Sequence, residues 1–292
     1  MDGDRMQTNE AEKSTVVALT DDGVSLRGRV AGKGPLIIAV HGGLGIDAEY
    51  LSSAFDSLRG THTIVCFDQR GHGRSDGRES LNQSTRETLV DDIDAVRRHA
   101  GADRAIVFGH SYGGFLALEY AARYRDRVAG LALCATSASL DHIGPAVDLV
   151  STYARSDELS ALHKLLTDPP ASDEEFASLW RAITPLYFAD HESGRSKTFD
   201  STRFSAAGYA AGTGWLSSYD MRSRLSALRV PIALFHGAHD WLMNSRTAGN
   251  ELCEALPGAT RFVFEQSGHY PFIEEPRLWE RRLSEWLSEL RT

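Results

Sequence analysis

A serine flanked by glycines is the clearest sign of chemistry in the sequence. Residues 109–114 read Gly-His-Ser-Tyr-Gly-Gly and follow the apolar run 104–108, which is typical of a buried strand. They precede residues 115–122, which contain no Gly or Pro and favour a packed helix. A serine at such a strand–turn–helix junction has a strained backbone, which the flanking glycines permit. The motif predicts that Ser111 is a nucleophile held beyond the end of the sheet.

A neutral serine is a weak nucleophile, so it needs a general base and a group that orients that base. Histidine is suited to the first role, and a carboxylate to the second. Asp240 follows the apolar run 230–235, and His269 follows the last such run, 260–264. For serine motifs of this kind the expected order along the chain is serine, then acid, then histidine. We therefore predict that Ser111, Asp240 and His269 form a catalytic triad.

Acyl transfer also requires donors for a developing oxyanion. Residues 41–45 read His-Gly-Gly-Leu-Gly at the end of the apolar run 35–40. Glycines there let backbone N–H groups approach a ligand closely, although the same residues could form a tight loop and nothing more. We predict that the backbone N–H groups of Gly43 and Tyr112 bind the oxyanion.

Other histidines are alternative candidates for the general base or for metal ligands. His41 and His110 precede the proposed acid and are interpreted as loop or supporting residues. His236 and His239 lie close to Asp240 and look like metal ligands, but a lone His-x-x-His on a loop is weak evidence for a metal site. We expect neither a metal nor a cofactor.

The pattern of elements indicates how these residues are brought together. Apolar runs that read as strands alternate with helical patterns, and a turn at residues 20–23 predicts a hairpin before them. The predicted strands cover residues 15–19, 24–30, 35–40, 61–67, 104–108, 127–134, 230–235 and 260–264, and the predicted helices cover 47–58, 86–100, 115–122, 245–255 and 276–290. This is an α/β fold with a mostly parallel sheet flanked by helices, in which functional residues gather at the carboxyl ends of the strands. The charged loop 68–75 is expected to stabilise its own structure through hydrogen bonds.

The alternation stops at residues 137–220, where helical patterns dominate. We predict a helical cap there, inserted into a core formed by residues 15–136 and 221–292, with a loose tail at residues 1–14. Substrate pockets are concave and mostly apolar, so aromatic residues of the cap are candidates for a pocket over Ser111. The candidate pocket residues are Leu44, Trp180, Tyr187, Phe188, Tyr209, Trp215 and Trp241.

Composition limits the classes of function. The chain has 292 residues, 42% of them hydrophobic, and a net charge of −9, which argues against a nucleic-acid or anionic-membrane binder. The first residues lack the apolar core of a signal peptide, and no run is long enough to span a membrane. The three cysteines are expected to be buried thiols, which is consistent with a cytoplasmic location. The expected partner is a small-molecule or short-peptide substrate, and the oligomeric state is not predicted.

With these motifs in place, the sequence resembles the α/β-hydrolases, and within them the proline iminopeptidase-like branch. The resemblance rests on residues 41–45, on Asp-Gln-Arg-Gly-His-Gly-Arg-Ser at 68–75 and on Gly-His-Tyr-Pro-Phe-Ile-Glu-Glu-Pro at 268–276. It implies a capped α/β-hydrolase fold, a triad on Ser111, Asp240 and His269, and an oxyanion pair on Gly43 and Tyr112. A serine rather than an aspartate at position 111 disfavours an epoxide hydrolase or a dehalogenase.

The chain departs from that branch in informative places. Leu44 stands where the branch usually has proline, and Tyr112 where it often has tryptophan. Glu174, Glu175 and Glu192 lack the aromatic context of the glutamates that bind a substrate's amino terminus in proline iminopeptidases. The predicted function is a cofactor-free serine hydrolase acting on an ester, lactone or amide bond. Alternatives are a proline iminopeptidase-type aminopeptidase, a thioesterase or cyclase, a lyase or oxygenase that forms no acyl-enzyme, and a receptor-like binding protein.

Overall fold

A computed structural model describes residues 15–191, 198–244 and 246–290. Within these, eight strands form one sheet in the order β1-β2-β4-β3-β5-β6-β7-β8. Their bounds are β1 Thr15–Leu19, β2 Ser25–Gly32, β3 Leu36–Val40, β4 Thr63–Phe67, β5 Ala105–His110, β6 Val128–Cys134, β7 Ile232–Gly237 and β8 Thr260–Phe264. β2 pairs antiparallel with β1 and β4, and every other neighbouring pair is parallel. The mostly parallel sheet predicted from the apolar runs is confirmed.

The helices lie between and around these strands. The α-helices are α1 Arg86–His99, α2 Tyr112–Arg123, α3 Ile143–Val150, α4 Ser156–Thr167, α5 Asp173–Ile183, α6 Ala206–Leu216, α7 Arg222–Leu225, α8 Ala248–Ala255, α9 Pro271–Glu274 and α10 Pro276–Glu289. The described residues also include 3₁₀ helices at Glu49–Leu58, Arg78–Gln83, Arg125–Arg127 and Thr184–Tyr187. No helix among the described residues is both long enough and apolar enough to cross a membrane.

The central strands are buried because helices cover the sheet. All residues of β3 and β5 are buried, in keeping with their continuous apolar sequences. α1 packs against α2, and α10 packs against the 3₁₀ helix Glu49–Leu58. Trp279 of α10 contacts the rings of Phe108, Phe235 and Phe264 and donates a hydrogen bond of 2.8 Å to the Ala54 carbonyl. This packing fixes the carboxyl ends of the strands that carry the candidate site.

Some boundaries differ from the sequence prediction. The helix expected at residues 47–58 is a 3₁₀ helix over Glu49–Leu58, and the short 3₁₀ helix Arg78–Gln83 was not predicted. The helix expected at 245–255 begins at Ala248, and Ser245 itself lies outside the described residues. The predicted tail at residues 1–14 also lies outside them.

Helices α3 to α6 all lie between β6 and β7, where the cap was predicted. Near the start and the end of this segment, Ser139 and Asp220 form an isolated antiparallel bridge. The Met221 N–H also donates a hydrogen bond of 2.8 Å to the Ala138 carbonyl. A second bridge joins Ile46, in the loop after β3, to Phe204, just before α6. The helical segment is therefore held at its ends and over the loop that follows β3.

The polar loop after β4 is stabilised by its own charged residues, as predicted. Arg70 is 2% exposed and binds both carboxylate oxygens of Asp92, at 2.7 and 2.6 Å. It also donates to Asp22 at 2.8 Å, and Asp68 accepts hydrogen bonds from the Ala48 and Arg74 N–H groups. These bonds tie the loop to the turn between β1 and β2, to α1 and to the segment after β3.

Replacing Arg70 with methionine is expected to lower the free energy of unfolding by about 3–5 kcal/mol, because it leaves the buried Asp92 carboxylate without its partner. Lys164→Met removes an exposed pair with Asp168 at the end of α4 and should change the free energy of unfolding far less, because solvent screens exposed ion pairs. Urea unfolding of the two variants measures the difference. Equal losses in both would contradict the assignment of Arg70 as a buried anchor.

Candidate functional site

Ser111 lies in a tight turn between β5 and α2. Its φ of 52° and ψ of −120° are strained for any residue with a side chain. The turn requires glycines nearby: a Cβ on Gly109 would lie 2.5 Å from the Gly113 carbonyl oxygen, and one on Gly113 only 2.2 Å from that of Val40. The Ser111 N–H donates to the Cys134 carbonyl at 2.9 Å, which anchors the turn to β6. The geometry holds the Ser111 side chain at the carboxyl end of the sheet.

His269 and Asp240 form a hydrogen-bonded pair at the same end of the sheet. His269 Nδ1 lies 2.7 Å from Asp240 Oδ2, and both side chains are buried. Oδ1 of Asp240 accepts hydrogen bonds from the Leu242 and Met243 N–H groups, at 2.9 and 3.0 Å. Burial acts to raise the pKa of the Asp240 carboxyl, but His269 and these N–H groups outweigh it and lower the pKa. Asp240 is therefore ionised and can orient the imidazole.

Gly43 and Tyr112, the two residues predicted to bind an oxyanion, line the same cavity as Ser111. Gly43 has a φ of 64°, and a Cβ there would lie 2.5 Å from Ile46 Cγ1, so the residue must be glycine. Tyr112 is the first residue of α2, where N–H groups have no partner within the helix. No described residue accepts a hydrogen bond from either N–H group. Their position in the same cavity wall as Ser111 is compatible with the oxyanion role predicted from the sequence, which stays a prediction.

Ser111 and His269 line one cavity of about 230 Å³. Its wall is mostly aliphatic and aromatic, and it includes no Asp, Glu, Lys or Arg among the described residues. The lining residues are Gly43, Leu44, Ser111, Tyr112, Phe115, Leu140, Ile143, Val147, Leu162, Leu165, Leu166, Trp180, Ile183, Tyr187, Tyr209, Thr213, Leu216, Trp241, Leu242, Met243, His269 and Tyr270. Asp240 lies behind His269. Five of the seven predicted pocket residues are in this wall: Leu44, Trp180, Tyr187, Tyr209 and Trp241.

The other two predicted pocket residues, Phe188 and Trp215, lie elsewhere. Phe188 follows the 3₁₀ helix that ends at Tyr187, is absent from the cavity wall, and packs against the Tyr270 ring. Trp215 lies on another face of α6 from the cavity residues Tyr209 and Thr213, and its Nε1 donates to the Ser84 carbonyl at 3.0 Å. Including these two in the predicted pocket was wrong.

The loop that carries His269 is bonded to the segment after α5. The His269 N–H donates to the Tyr187 carbonyl at 2.7 Å. Glu274 accepts from the Ala189 N–H at 2.7 Å and from the Gly268 N–H at 2.8 Å. Glu274 belongs to the motif at residues 268–276. Nothing in that motif indicates that this carboxylate joins the backbone at Gly268 to the backbone at Ala189.

Among the other histidines considered for the site, His41 and His236 are buried and have structural partners. His236 Nε2 lies 3.0 Å from the Thr136 carbonyl, and His239 is exposed. His41 Nε2 lies 3.0 Å from the N–H of Gln69 in the loop after β4. Across residues 15–191, 198–244 and 246–290, no group of three or more His, Cys, Asp or Glu side chains could hold a metal ion.

This chain is similar in sequence and in fold to several known proteins. A family described as the alpha/beta hydrolase fold matches residues 35–276. A proline iminopeptidase of Pestalotiopsis fici is 27% identical, over 92% of this chain and 98% of its own length. A pimeloyl-[acyl-carrier protein] methyl ester esterase of Chromobacterium violaceum is 29% identical, over 88% of this chain and 95% of its own. The solved structure of an alpha/beta fold family hydrolase from Bacillus anthracis superposes with a TM-score of 0.77 at 20% identity, over 94% of this chain and 99% of that one.

Proposed function

The chain belongs to the family of proteins with the alpha/beta hydrolase fold, and on that basis we propose that it is a serine hydrolase that cleaves esters of small, uncharged, apolar molecules. The family match and the similar proline iminopeptidases confirm the resemblance predicted from the motifs. One observation carries the proposal. Ser111 lines an apolar cavity together with His269, which is bonded to the ionised Asp240.

The proposed reaction begins when Ser111 Oγ attacks the ester carbonyl carbon while His269 Nε2 accepts the hydroxyl proton. The carbonyl oxygen becomes an oxyanion, which accepts hydrogen bonds from the Gly43 and Tyr112 N–H groups. Asp240 stabilises the imidazolium through Nδ1. Collapse of the tetrahedral intermediate breaks the carbon–oxygen bond, and His269 gives its proton to the leaving alcohol.

Water then repeats these steps on the acyl-enzyme. His269 takes a proton from the water, the hydroxide adds to the acyl carbon, and the carboxylic acid leaves as Ser111 recovers its proton. No hydrogen bond joins Ser111 to His269 in the described part of the chain. That is compatible with this role, since catalytic hydrogen bonds often tighten only when substrate is bound.

The wall of the cavity supports the choice of substrate. Aliphatic side chains from α3, α4 and α6 surround its outer part, and half-exposed residues such as Val147 and Thr213 lie where it meets solvent. An ammonium or carboxylate group placed there would lose its hydration without gaining a partner of opposite charge. An apolar acyl or alcohol group would instead gain from burial.

A proline iminopeptidase-type activity is the second candidate, and the relative from Pestalotiopsis fici favours it. Such an enzyme needs a carboxylate near the substrate's amino terminus. Glu174 and Glu175 of α5 are not in the cavity wall, and Glu175 accepts a hydrogen bond from the Ala171 N–H at 2.7 Å. Glu192, the third candidate, lies outside the described residues. A thioesterase or cyclase would use the same three residues.

A substrate panel separates these activities. We expect 4-nitrophenyl butyrate and octanoate to be turned over many times, and a prolyl anilide to remain uncut whether its amine is free or blocked. The physical reason is that the apolar wall binds an acyl chain but offers no partner for an ammonium group. Initial rates on equal amounts of wild type and Ser111→Ala measure the turnover that depends on Ser111.

The other outcomes identify the alternatives. Cleavage of the free-amine anilide alone would overturn the ester proposal in favour of the aminopeptidase. Cleavage of neither ester, with no labelling of Ser111 by a fluorophosphonate, would favour a receptor-like binding protein. Turnover of the substrates without any trapped acyl-enzyme would favour a lyase or an oxygenase.

A further inference from the structure

We propose that Tyr50 and His110 are a positioning pair. They fix the relative positions of three parts of the candidate site: the loop after β3, the turn at Ser111 and the loop that carries His269. This inference rests on the proposed function, because it assigns a role in the same acyl transfer. Neither residue lines the cavity beside Ser111. Their effect is therefore on the placement of reacting groups rather than on the binding of substrate.

The hydrogen bonds of the pair form one continuous chain. The Gly42 N–H donates to Tyr50 Oη at 2.6 Å, and Tyr50 Oη lies 2.8 Å from His110 Nδ1. His110 Nε2 lies 2.9 Å from the His269 carbonyl oxygen. These hydrogen bonds connect residues next to the site: Gly42 precedes Gly43, His110 precedes Ser111, and the carbonyl belongs to His269 itself.

The direction of every bond follows from its two ends. A backbone N–H can only donate, so Tyr50 Oη accepts from Gly42 and uses its single hydrogen to donate to His110 Nδ1. A carbonyl can only accept, so His110 Nε2 carries the proton that it donates to His269. His110 is thus neutral and confined to one tautomer. A protonated His110 would present a hydrogen on Nδ1 to the Tyr50 oxygen and would leave the buried Tyr50 hydroxyl hydrogen without its acceptor.

Burial makes this arrangement rigid. Tyr50 is 5% exposed and His110 is 1% exposed. The His110 ring packs against the rings of Tyr270 and Phe272, at centroid distances of 5.2 and 5.3 Å. Burial also lowers the pKa of His110 well below its usual range, which agrees with the neutral tautomer. Water cannot replace a lost partner at such a position.

The proposal predicts a specific kinetic defect. Tyr50→Phe keeps the ring but leaves the Gly42 N–H and His110 Nδ1 without partners, so the oxyanion loop and the His269 loop lose their link. We expect kcat on 4-nitrophenyl butyrate to fall by about 10- to 100-fold, within the range for a misplaced oxyanion donor, while KM changes less than about 3-fold. Rates are divided by the amount of Ser111 that a fluorophosphonate titrates, so misfolded protein is not counted.

Tyr120→Phe is the matched control. Tyr120 of α2 is fully buried, and its hydroxyl donates to Asp94 of α1 at 3.1 Å. The control should lose stability but keep its kcat per titrated serine. His110→Gln is a second variant, since its amide can accept from Tyr50 and donate to His269. It should keep more activity than His110→Leu.

The results distinguish the two proposals. Tyr50→Phe with wild-type kcat per titrated serine, or with a rise in KM alone, would overturn the positioning role and leave the hydrolase standing. A kcat for His110→Leu equal to that of His110→Gln would overturn it as well. Wild-type protein that neither cleaves esters nor labels at Ser111 would overturn the proposed function, and this inference with it.

Discussion

Replacing Ser111 with alanine is expected to lower kcat on its best ester by at least about 10⁴-fold while leaving the fold intact. The large loss follows because no acyl-enzyme can form without the hydroxyl. The fold should persist because the Ser111 side chain makes no hydrogen bond among the described residues, and alanine meets the same backbone strain as serine. Steady-state kinetics and thermal unfolding on one preparation measure both quantities.

A second substitution at Ser111 and a control at another buried serine test the same assignment. Ser111→Gly should be equally inactive but more stable than wild type by about 1–2 kcal/mol, because glycine tolerates a φ of 52°. Ser137→Ala is the matched control: this serine is also buried, and its hydroxyl donates to the Ser139 carbonyl at 2.6 Å outside the cavity wall. It should remain active. A Ser111→Ala protein with most of its activity would remove Ser111 from the mechanism.

Acid is expected to destabilise the protein steeply between about pH 6.5 and 4. Burial lowers the pKa values of His41, His72 and His236 to about 4, and that of His110 well below its usual value. The unfolded chain binds protons on these side chains below about pH 6.5, whereas the folded chain does not until about pH 4. Stability is therefore full above pH 6.5 and is lost as the pH falls through this window.

The expected size is about 2 kcal/mol for each of these histidines at pH 5. Asp47 and Asp92 act in the opposite direction, because burial raises the pKa of each carboxyl to about 6, and the neighbouring Asp68 adds to the effect at Asp47. Their contributions grow as the pH falls and together offset roughly one to two histidines. The net loss between pH 7.5 and pH 5 is expected to be several kcal/mol, measured by urea unfolding across this range.

A pair of histidine variants tests the cause of this acid sensitivity. His236→Gln should reduce the loss of stability between pH 7.5 and 5 by about 2 kcal/mol, because glutamine does not take up a proton in the unfolded chain. His163→Gln, at an exposed histidine of α4, is the matched control variant. A free energy of unfolding that is constant across this range in wild type would show that the buried histidines are not responsible.

The sequence predicted a strand or a turn correctly where a short local pattern of residues specifies it. Runs such as residues 35–40 and 104–108 predicted buried strands, because a parallel strand covered on both faces must be apolar throughout. The turn at Ser111 was predicted from its glycines, which the close approach to Val40 and Gly114 requires. The 3₁₀ helix Glu49–Leu58 was expected as an ordinary helix, because i, i+3 and i, i+4 patterns are hard to tell apart over ten residues.

Other parts of the site depend on contacts that are distant in sequence. Trp215 was grouped with the cavity residues because it is aromatic and lies in a helix, but only the rotation of α6 decides which face a residue occupies. Tyr50 had no recognisable signal, since its role arises from three loops that meet in the fold. The sequence indicated that His110 is a loop or supporting residue. Its hydrogen bonds to Tyr50 and to the His269 carbonyl identify which residues it supports.

The bridge between Ser139 and Asp220 also bears on how substrate range can change without loss of the core. Antiparallel partners hold their Cα atoms about 5 Å apart, so the long helical segment leaves the sheet and returns to it at nearly one point. The entropy of closing such a loop grows only slowly with its length. A change in the length of this segment therefore costs little in loop-closure entropy, so the parts of it that do not bond to the loops after β3 and β8 are graft sites for engineering new specificities.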